Sequence, residues 1–480
     1  MLNRIVISLL LLLSFYLSIQ SPLFGDEAIY SIAIKDNIEL GLQTTATYYG
    51  ETMNWKPSLM FNVYAIIASP FYKLIPEEIL FRAISLLFVV ASLFILFYFF
   101  KNEFNNDKKA YWGIILILIT PCFFVYSTKI FTDILMFLFV CGALYLTQKI
   151  NENKWNKILL MLCFVGVGLT KSMIFVLLII VMCLLYYFTK NKKINYEIIG
   201  IGIITIIFLM LHTQLLGIQS LNQLDINRLT KISLDNLGNS LMKIVAYMGL
   251  MIIALIKPKK ELLPLYLFLL CCIIYLILYQ ILLPWYLFPI LPLFVLFIVD
   301  LKKEIIIFLI FNLFLITILN TLLAYGNYNY LEIMDEDFSK TIYIGRLGDM
   351  VANMMYDYDS VVVTPQNSFK KNFEFDKLNN WYGWPEKMTR ENLLGLIYDY
   401  ENPDLWPKYV EELTPEEKYL TPIARTHKNW EGDFEKIIIE KQYYIIIEKE
   451  ILEEYELVKI IDEEKNNEEP LYILIKKVIG

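Results

Sequence analysis

The stretch Ala83-Ile-Ser-Leu-Leu-Phe-Val-Val-Ala-Ser-Leu-Phe-Ile-Leu-Phe-Tyr-Phe-Phe100, closed by Lys101, contains no charged residue. At about 1.5 Å of rise per residue, a helix of this length approaches the ~30 Å of hydrocarbon in a bilayer. Further apolar segments lie near residues 4–20, 110–126, 131–148, 158–170, 172–188, 196–216, 241–256, 262–281, 284–299 and 304–324. The composition agrees with this reading. Of 480 residues 57% are hydrophobic and the mean hydropathy is +0.52, against about 45–50% apolar residues in soluble chains. Such a chain needs lipid as solvent for much of its length.

A further apolar stretch, 57–75, is interrupted by Asn62, Pro70 and Lys73, and charge decides whether it crosses. If it does not, residues 21–82 form one external loop. The loops holding Lys101/Lys108/Lys109, Lys149/Lys154/Lys157, Lys190/Lys192/Lys193, Lys257/Lys259/Lys260 and Lys302/Lys303 then all face the cytoplasm. The opposite loops hold Lys129, Lys171, Arg228 and Lys231. A crossing 57–75 would invert this and break the positive-inside rule. The stretch is therefore expected to be an interfacial or re-entrant helix. The expected topology has about eleven transmembrane helices, with the N-terminus cytoplasmic. The first span ends in Ser21-Pro-Leu-Phe-Gly-Asp-Glu27 without a clear small-x-small cleavage site, so it reads as an uncleaved span rather than a signal peptide.

From about residue 326 the pattern changes. Ser360–Thr364, Tyr443–Ile447, Tyr455–Ile461 and Leu471–Lys476 read as short β-branched strands with polar, helix-compatible segments between them. The expected division is a transmembrane domain, 1–325, with first external loop 21–82, and a small soluble α/β domain, 326–480, outside the cytoplasm. The net charge of −7 carries no basic stripe of the kind that binds nucleic acid. All six cysteines lie in apolar runs, which leaves no disulfide framework for the soluble domain, and the two histidines, His212 and His427, argue against a His-based metal site.

Acids and cations gather at the external ends of the spans. Asp26 and Glu27 directly follow the first span. Asp133 lies just inside the fourth, after Tyr126-Ser127-Thr128-Lys129, and a carboxylate in a membrane segment is costly enough to point to function. The bland readings are that Asp26 caps the following helix and that Asp133 either pairs with Lys129 one helical turn away or is an interfacial cap. The expected topology brings Asp26, Glu27, Lys56, Arg82, Asp133, Lys171 and Arg228 to the same leaflet from distant parts of the chain.

Gly25-Asp26-Glu27-Ala28-x-Tyr30, Lys56-Pro57-x-Leu59, Arg82, Thr132-Asp133, Gly168-Leu-Thr-Lys171 and Trp285-Tyr286-Leu-Phe-Pro289-Ile-Leu-Pro292 together resemble the GT-C glycosyltransferases, and most closely the protein O-mannosyltransferase and aminoarabinose-transferase group. The resemblance covers roughly residues 20–300. It implies a polytopic GT-C fold, a donor of one sugar on a polyprenyl phosphate, a protein, lipid or glycan acceptor outside the cytoplasm, and inversion at the anomeric carbon. The expected catalytic residues are Asp26, Glu27 and Asp133, and the expected donor phosphate contacts are Lys56, Arg82, Lys171, Arg228 and Tyr286. Ile29 stands where the aminoarabinose transferases usually carry Arg, so that contact does not carry over. The Trp-Trp-Asp-Tyr-Gly motif of oligosaccharyltransferases is absent.

The residue types suit such a reaction. An attacking hydroxyl needs a base, which a carboxylate supplies. A phosphate leaving group needs cations or hydrogen-bond donors rather than a strong acid. A divalent metal does the same work, but no cofactor is required by these residues. The alternative is a polytopic transporter or lipid-linked-sugar flippase, disfavoured by the lack of an inverted repeat or paired broken helices.

Overall fold

In the computed structural model the described residues are 2–20, 26–39, 41, 47–48, 51–52, 59–171, 173–215, 234–249, 251, 260–278, 284–299, short parts of 311–318, 340–345, 360–363, 390–398, 425–426, 434–461 and 470–477. The chain divides into two compact units. Residues 1–21, 33–46 and 54–322 form the first, and residues 22–32, 47–53 and 323–480 form the second.

The first unit is helical. It contains α1 (Leu2–Gln20), α3 (Leu59–Ala68), α4 (Glu77–Phe104), α5 (Asp107–Leu118), α6 (Pro121–Tyr126), α7 (Thr132–Gln148), α8 (Lys154–Thr170), α9 (Met173–Asn191), α10 (Tyr196–Leu215), α11 (Leu234–Met248), α12 (Leu263–Leu278) and α13 (Leu291–Ile298). Helix α2 (Asp26–Glu39) contributes to both units. Among the described residues Asn3–Gln20, Glu77–Phe104, Met173–Asn191 and Lys260–Ile277 are long and apolar enough to cross a membrane. This is a multi-span membrane fold. Many leucines, isoleucines and phenylalanines are exposed on its helices, among them Leu9, Phe94, Leu162 and Ile204, as lipid-facing surfaces require.

Three details follow from local chemistry. Helix α3 has ten residues, about 15 Å of rise, which is half the hydrocarbon thickness. The apolar run 110–126 is not one helix. Thr120 is extended (φ −68, ψ 125) and Pro121 opens the next helix, because proline lacks the N–H that would continue the ladder. Prolines also break the run at 284–299 into a 3₁₀ segment, Pro284–Ile290, followed by α13. The loop-side helix starts are capped by asparagine: Asn106 accepts from Lys109 N at 3.2 Å and Asn153 from Trp155 N at 3.1 Å.

Helix α7 packs between α4 and α8, against α9 and the 284–290 turn. Phe137 stands with its ring centre 5.2 Å from Phe123 and 6.1 Å from Phe288. Gly166 of α8 lies under the Phe139 ring, where a Cβ would come within 2.7 Å. A small residue at that point lets two membrane helices approach closely.

The second unit holds a short antiparallel pair, β1 (Thr47–Tyr48) and β2 (Glu51–Thr52), and a six-stranded sheet in the order β5 (Arg425–Thr426), β4 (Ser360–Val363), β3 (Thr341–Ile344), β6 (Lys436–Glu440), β8 (Leu471–Lys476), β7 (Tyr455–Ile461). β3 runs parallel to β4 and β6, and the other pairs are antiparallel. Ile342, Ile344, Ile437, Ile439 and Leu474 pack with Tyr443, Tyr444, Ile447 and Ile451 of α15 (Lys441–Glu454), and with Leu393 and Ile397 of α14 (Arg390–Tyr398).

One sequence expectation is corrected here: Tyr443–Ile447 is the first half of α15, not a strand. Tyr443, Tyr444, Ile447 and Ile451 are buried, while Ile445 and Ile446 are 59% and 39% exposed. The spacing of the buried positions is helical, and a short apolar run alone does not distinguish the two periods.

Candidate functional site

Asp133 occupies the first turn of α7 with no exposure at all. Lys171, the residue that terminates α8, reaches it from 38 positions along the chain. Its Nζ lies 2.8 Å from Asp133 Oδ2 and 3.3 Å from Thr132 Oγ1. The Lys171 side chain is 17% exposed, and its Nζ sits 5.0 Å from the centre of the Tyr286 ring. Phe175, one turn into α9, stands 6.2 Å from that ring. Three segments far apart in sequence thus place a carboxylate, an ammonium and a phenol together. Asp133 Oδ1 is buried and has no hydrogen-bond partner among the described residues. A buried carboxylate oxygen left over is uncommon, because its desolvation is not offset. It is well suited to receive a hydroxyl from a ligand.

The pairing corrects the simple expectation for Asp133. Its described ion pair is with Lys171, not with Lys129. Phe131 is extended (φ −129, ψ 142) and α7 begins at Thr132, so Lys129 is not one helical turn away. Its Nζ lies 5.9 Å from the centre of the Tyr126 ring.

Arg82 lies in the second turn of α4 and is 1% exposed. Its Nη1 donates to the Ser18 carbonyl at 2.6 Å. Ser18 belongs to the last turn of α1, whose terminal carbonyls carry partial negative charge. The contact seen for Arg82 is therefore to a helix end. Nearby, Ser14 Oγ donates to the Phe124 carbonyl at 2.6 Å, and Tyr64 Oη and Ser85 Oγ are 2.8 Å apart.

Asp26 and Glu27 are the first two residues of α2, and Glu27 is fully buried. Acids in a first turn also complement the helix dipole. The helix ends at Glu39 and is followed by Gly41 at φ +88, a left-handed conformation that glycine adopts readily. Lys56 and Arg228 lie outside the described residues.

Thr132, whose Oγ1 donates to Asp133 Oδ2 at 3.3 Å, stands in the Thr132-Asp133 motif, but the sequence assigned it no role of its own. Only its position beside a membrane carboxylate marks it. Among the described residues no group of three or more His, Cys, Asp and Glu side chains is arranged to hold a metal ion.

Residues 62–216 match the family model described as dolichyl-phosphate-mannose-protein mannosyltransferase. The fold matches that of ArnT from Cupriavidus metallidurans bound to undecaprenyl phosphate, with a TM-score of 0.62 and 11% identity, over 98% of this chain and 97% of that one. The apo state of the same protein gives a TM-score of 0.60 at 10% identity, with the same coverage. No curated protein matches the chain.

Proposed function

We propose, for a chain whose segment 62–216 has the mannosyltransferase family pattern and whose fold is that of ArnT, the transfer of a single sugar from a polyprenyl-phosphate donor to a protein, lipid or glycan acceptor at the outer membrane face. The enzyme is a membrane glycosyltransferase of the GT-C type with a lipid-phosphate sugar donor. The finer reading rests on one observation: the buried Asp133–Lys171 pair beside Tyr286, with Asp133 Oδ1 left for a ligand.

The reaction is an inverting single displacement. The acceptor hydroxyl oxygen bonds to the anomeric carbon as the carbon–oxygen bond to phosphate breaks. Asp26 takes the hydroxyl proton, supported by Glu27, and polyprenyl phosphate leaves as an anion. Asp133 orients a sugar or acceptor hydroxyl. Lys171 and Tyr286 stand against the departing phosphate, with Lys56 and Arg228 as further cationic contacts. Arg82 has the weaker case because it already binds the end of α1. Cations in a partly dry site stabilise developing negative charge far better than in water.

The proposed organisation is a membrane domain, 1–325, and an extracytoplasmic domain, 326–480, with the N-terminus cytoplasmic. The lysine asymmetry of the loops supports it. Cysteines introduced at Ser58 and Ser368, in a background free of native cysteines, should react with an impermeant thiol reagent in intact cells. Labelling of the Ser368 position only after permeabilisation would overturn the orientation.

Activity is tested with purified protein, a labelled polyprenyl-phosphate sugar and envelope extract as acceptor source. Label should move to an acceptor as free polyprenyl phosphate accumulates. Movement of intact donor across vesicles with no sugar release would make the chain a flippase instead.

A further inference from the structure

Helices α7 and α9 each begin beside the Asp133–Lys171 pair, and they meet again at their other ends. Gln148 Nε2, in the last turn of α7, donates to Tyr186 Oη of α9 at 2.8 Å. Tyr186 Oη in turn donates to Glu103 Oε2 of α4 at 2.6 Å. Lys190 forms an ion pair with Glu103 Oε1. Gln148 Nε2 also reaches the Phe99 carbonyl at 3.1 Å. Tyr186 is 2% exposed and the Glu103 side chain 7%. Three helices are thus joined by one partly buried network.

The spacing carries the argument. Asp133 to Gln148 is fifteen residues of continuous α7, about 22 Å, and Lys171 to Tyr186 is also fifteen residues, of which Met173 to Tyr186 belong to α9 while Lys171 is the C-cap of α8. Because Lys171 stands two residues before α9 begins, the contacts at one end, Asp133–Lys171, and at the other, Gln148–Tyr186, close together in one register of α7 against α9. A slip of one helix by a turn, about 5.4 Å, would open both. Packed helices favour discrete registers over continuous sliding.

We infer that Gln148, Tyr186 and Glu103 are positioning residues for the Asp133–Lys171 site: the network at one end of α7 and α9 fixes the register that brings the carboxylate and ammonium together at the other. The functional part of this inference rests on the glycosyl-transfer reading, and the register part does not. A misplacement of about 1 Å at a reacting centre costs on the order of a hundredfold in rate.

The test is a thermal-unfolding double-mutant cycle on the full-length protein in detergent, with Tyr186→Phe and Lys171→Met. Sites this far apart with no shared partner give additive effects. Register coupling makes the double variant lose clearly less in melting temperature than the sum of the two single losses. Lys149→Ala, which removes an exposed pair with Glu152 (2.7 Å) near the same end, should be additive with Lys171→Met. If Tyr186→Phe fails to insert, Gln148→Met breaks the same contact at similar volume. In transfer assays Tyr186→Phe should lower turnover about ten- to a hundredfold, with no further loss on adding Lys171→Met. An additive melting cycle overturns the inference whatever the activity. A coupled cycle in a protein without transferase activity would leave the register lock standing and remove the proposed function.

Discussion

Two carboxylates in the helical unit, Asp133 fully buried and Glu103 partly buried, lead to different expectations. Glu103 engages both oxygens, Oε2 with Tyr186 and Oε1 with Lys190. Asp133 engages Oδ2 with Lys171 and Thr132, while Oδ1 has no partner among the described residues. A buried ion is costly unless every lone pair is met, so a fully satisfied acid fits a structural joint. An acid with an oxygen left over fits a site that a ligand completes. The two acids lie toward opposite ends of the same helix packing.

The largest expected effect extends this contrast to the acid proposed as base. Asp26→Asn keeps shape and hydrogen-bonding capacity but takes no proton. Turnover should fall about 10²–10⁴-fold with expression and donor binding intact. If Asp26 only complements the start of α2, the change costs at most ~1 kcal/mol of stability and turnover stays near normal. Steady-state rates and a melting curve on the same preparation decide between these.

The contrast itself is tested by neutralising each acid. Asp133→Asn should lower turnover about ten- to a hundredfold, the range for losing a charge-assisted contact of ~1.5–3 kcal/mol. Glu103→Gln should lower the melting temperature more than Asp133→Asn does. If Asp133→Asn leaves rates unchanged while destabilising the protein more, the assignments of the two acids are reversed.

Lys56→Ala should weaken donor use about ten- to a hundredfold at limiting donor, again the worth of a charge-assisted contact. Wild-type kinetics at limiting donor would make Lys56 an interfacial anchor.

The smallest effect lies in the second unit. Arg390 Nε donates to Glu450 Oε1 at 3.0 Å, and that hydrogen bond holds the Glu450 carboxyl below its usual value. The folded pKa is lower than the unfolded one. The pair therefore contributes above the ordinary glutamate range, and its contribution is lost as pH falls through the folded value. The pair is at the surface, so the change in melting temperature should be slight. Arg390→Ala should flatten that part of the pH profile. An identical profile in the variant would remove the pair from the account.

Asp133 and Lys171 were legible from the sequence because charge stands out in apolar surroundings. Their pairing was not. The sequence offered Lys129 as a partner, and the break at Phe131 removed it. Tyr286 was legible only through a motif, and its place beside Lys171 required the 284–290 turn to pack on α7. Tyr443–Ile447 misled in the opposite way, since two periods fit five apolar residues and burial selected the helical one. Asp26 and Glu27 stand out in the sequence by position, after the first span, and they open α2; their role as base and support is the proposal.

The sequence by itself determined that this is a multi-span helical membrane protein and where most of its helices run. Each helix satisfies its own backbone within four residues, and lipid demands that satisfaction locally. Only the tertiary structure decided which charges meet. An ion pair between residues 38 positions apart depends on how α7, α8 and α9 pack, and that packing is a property of the assembled helices, not of any one segment.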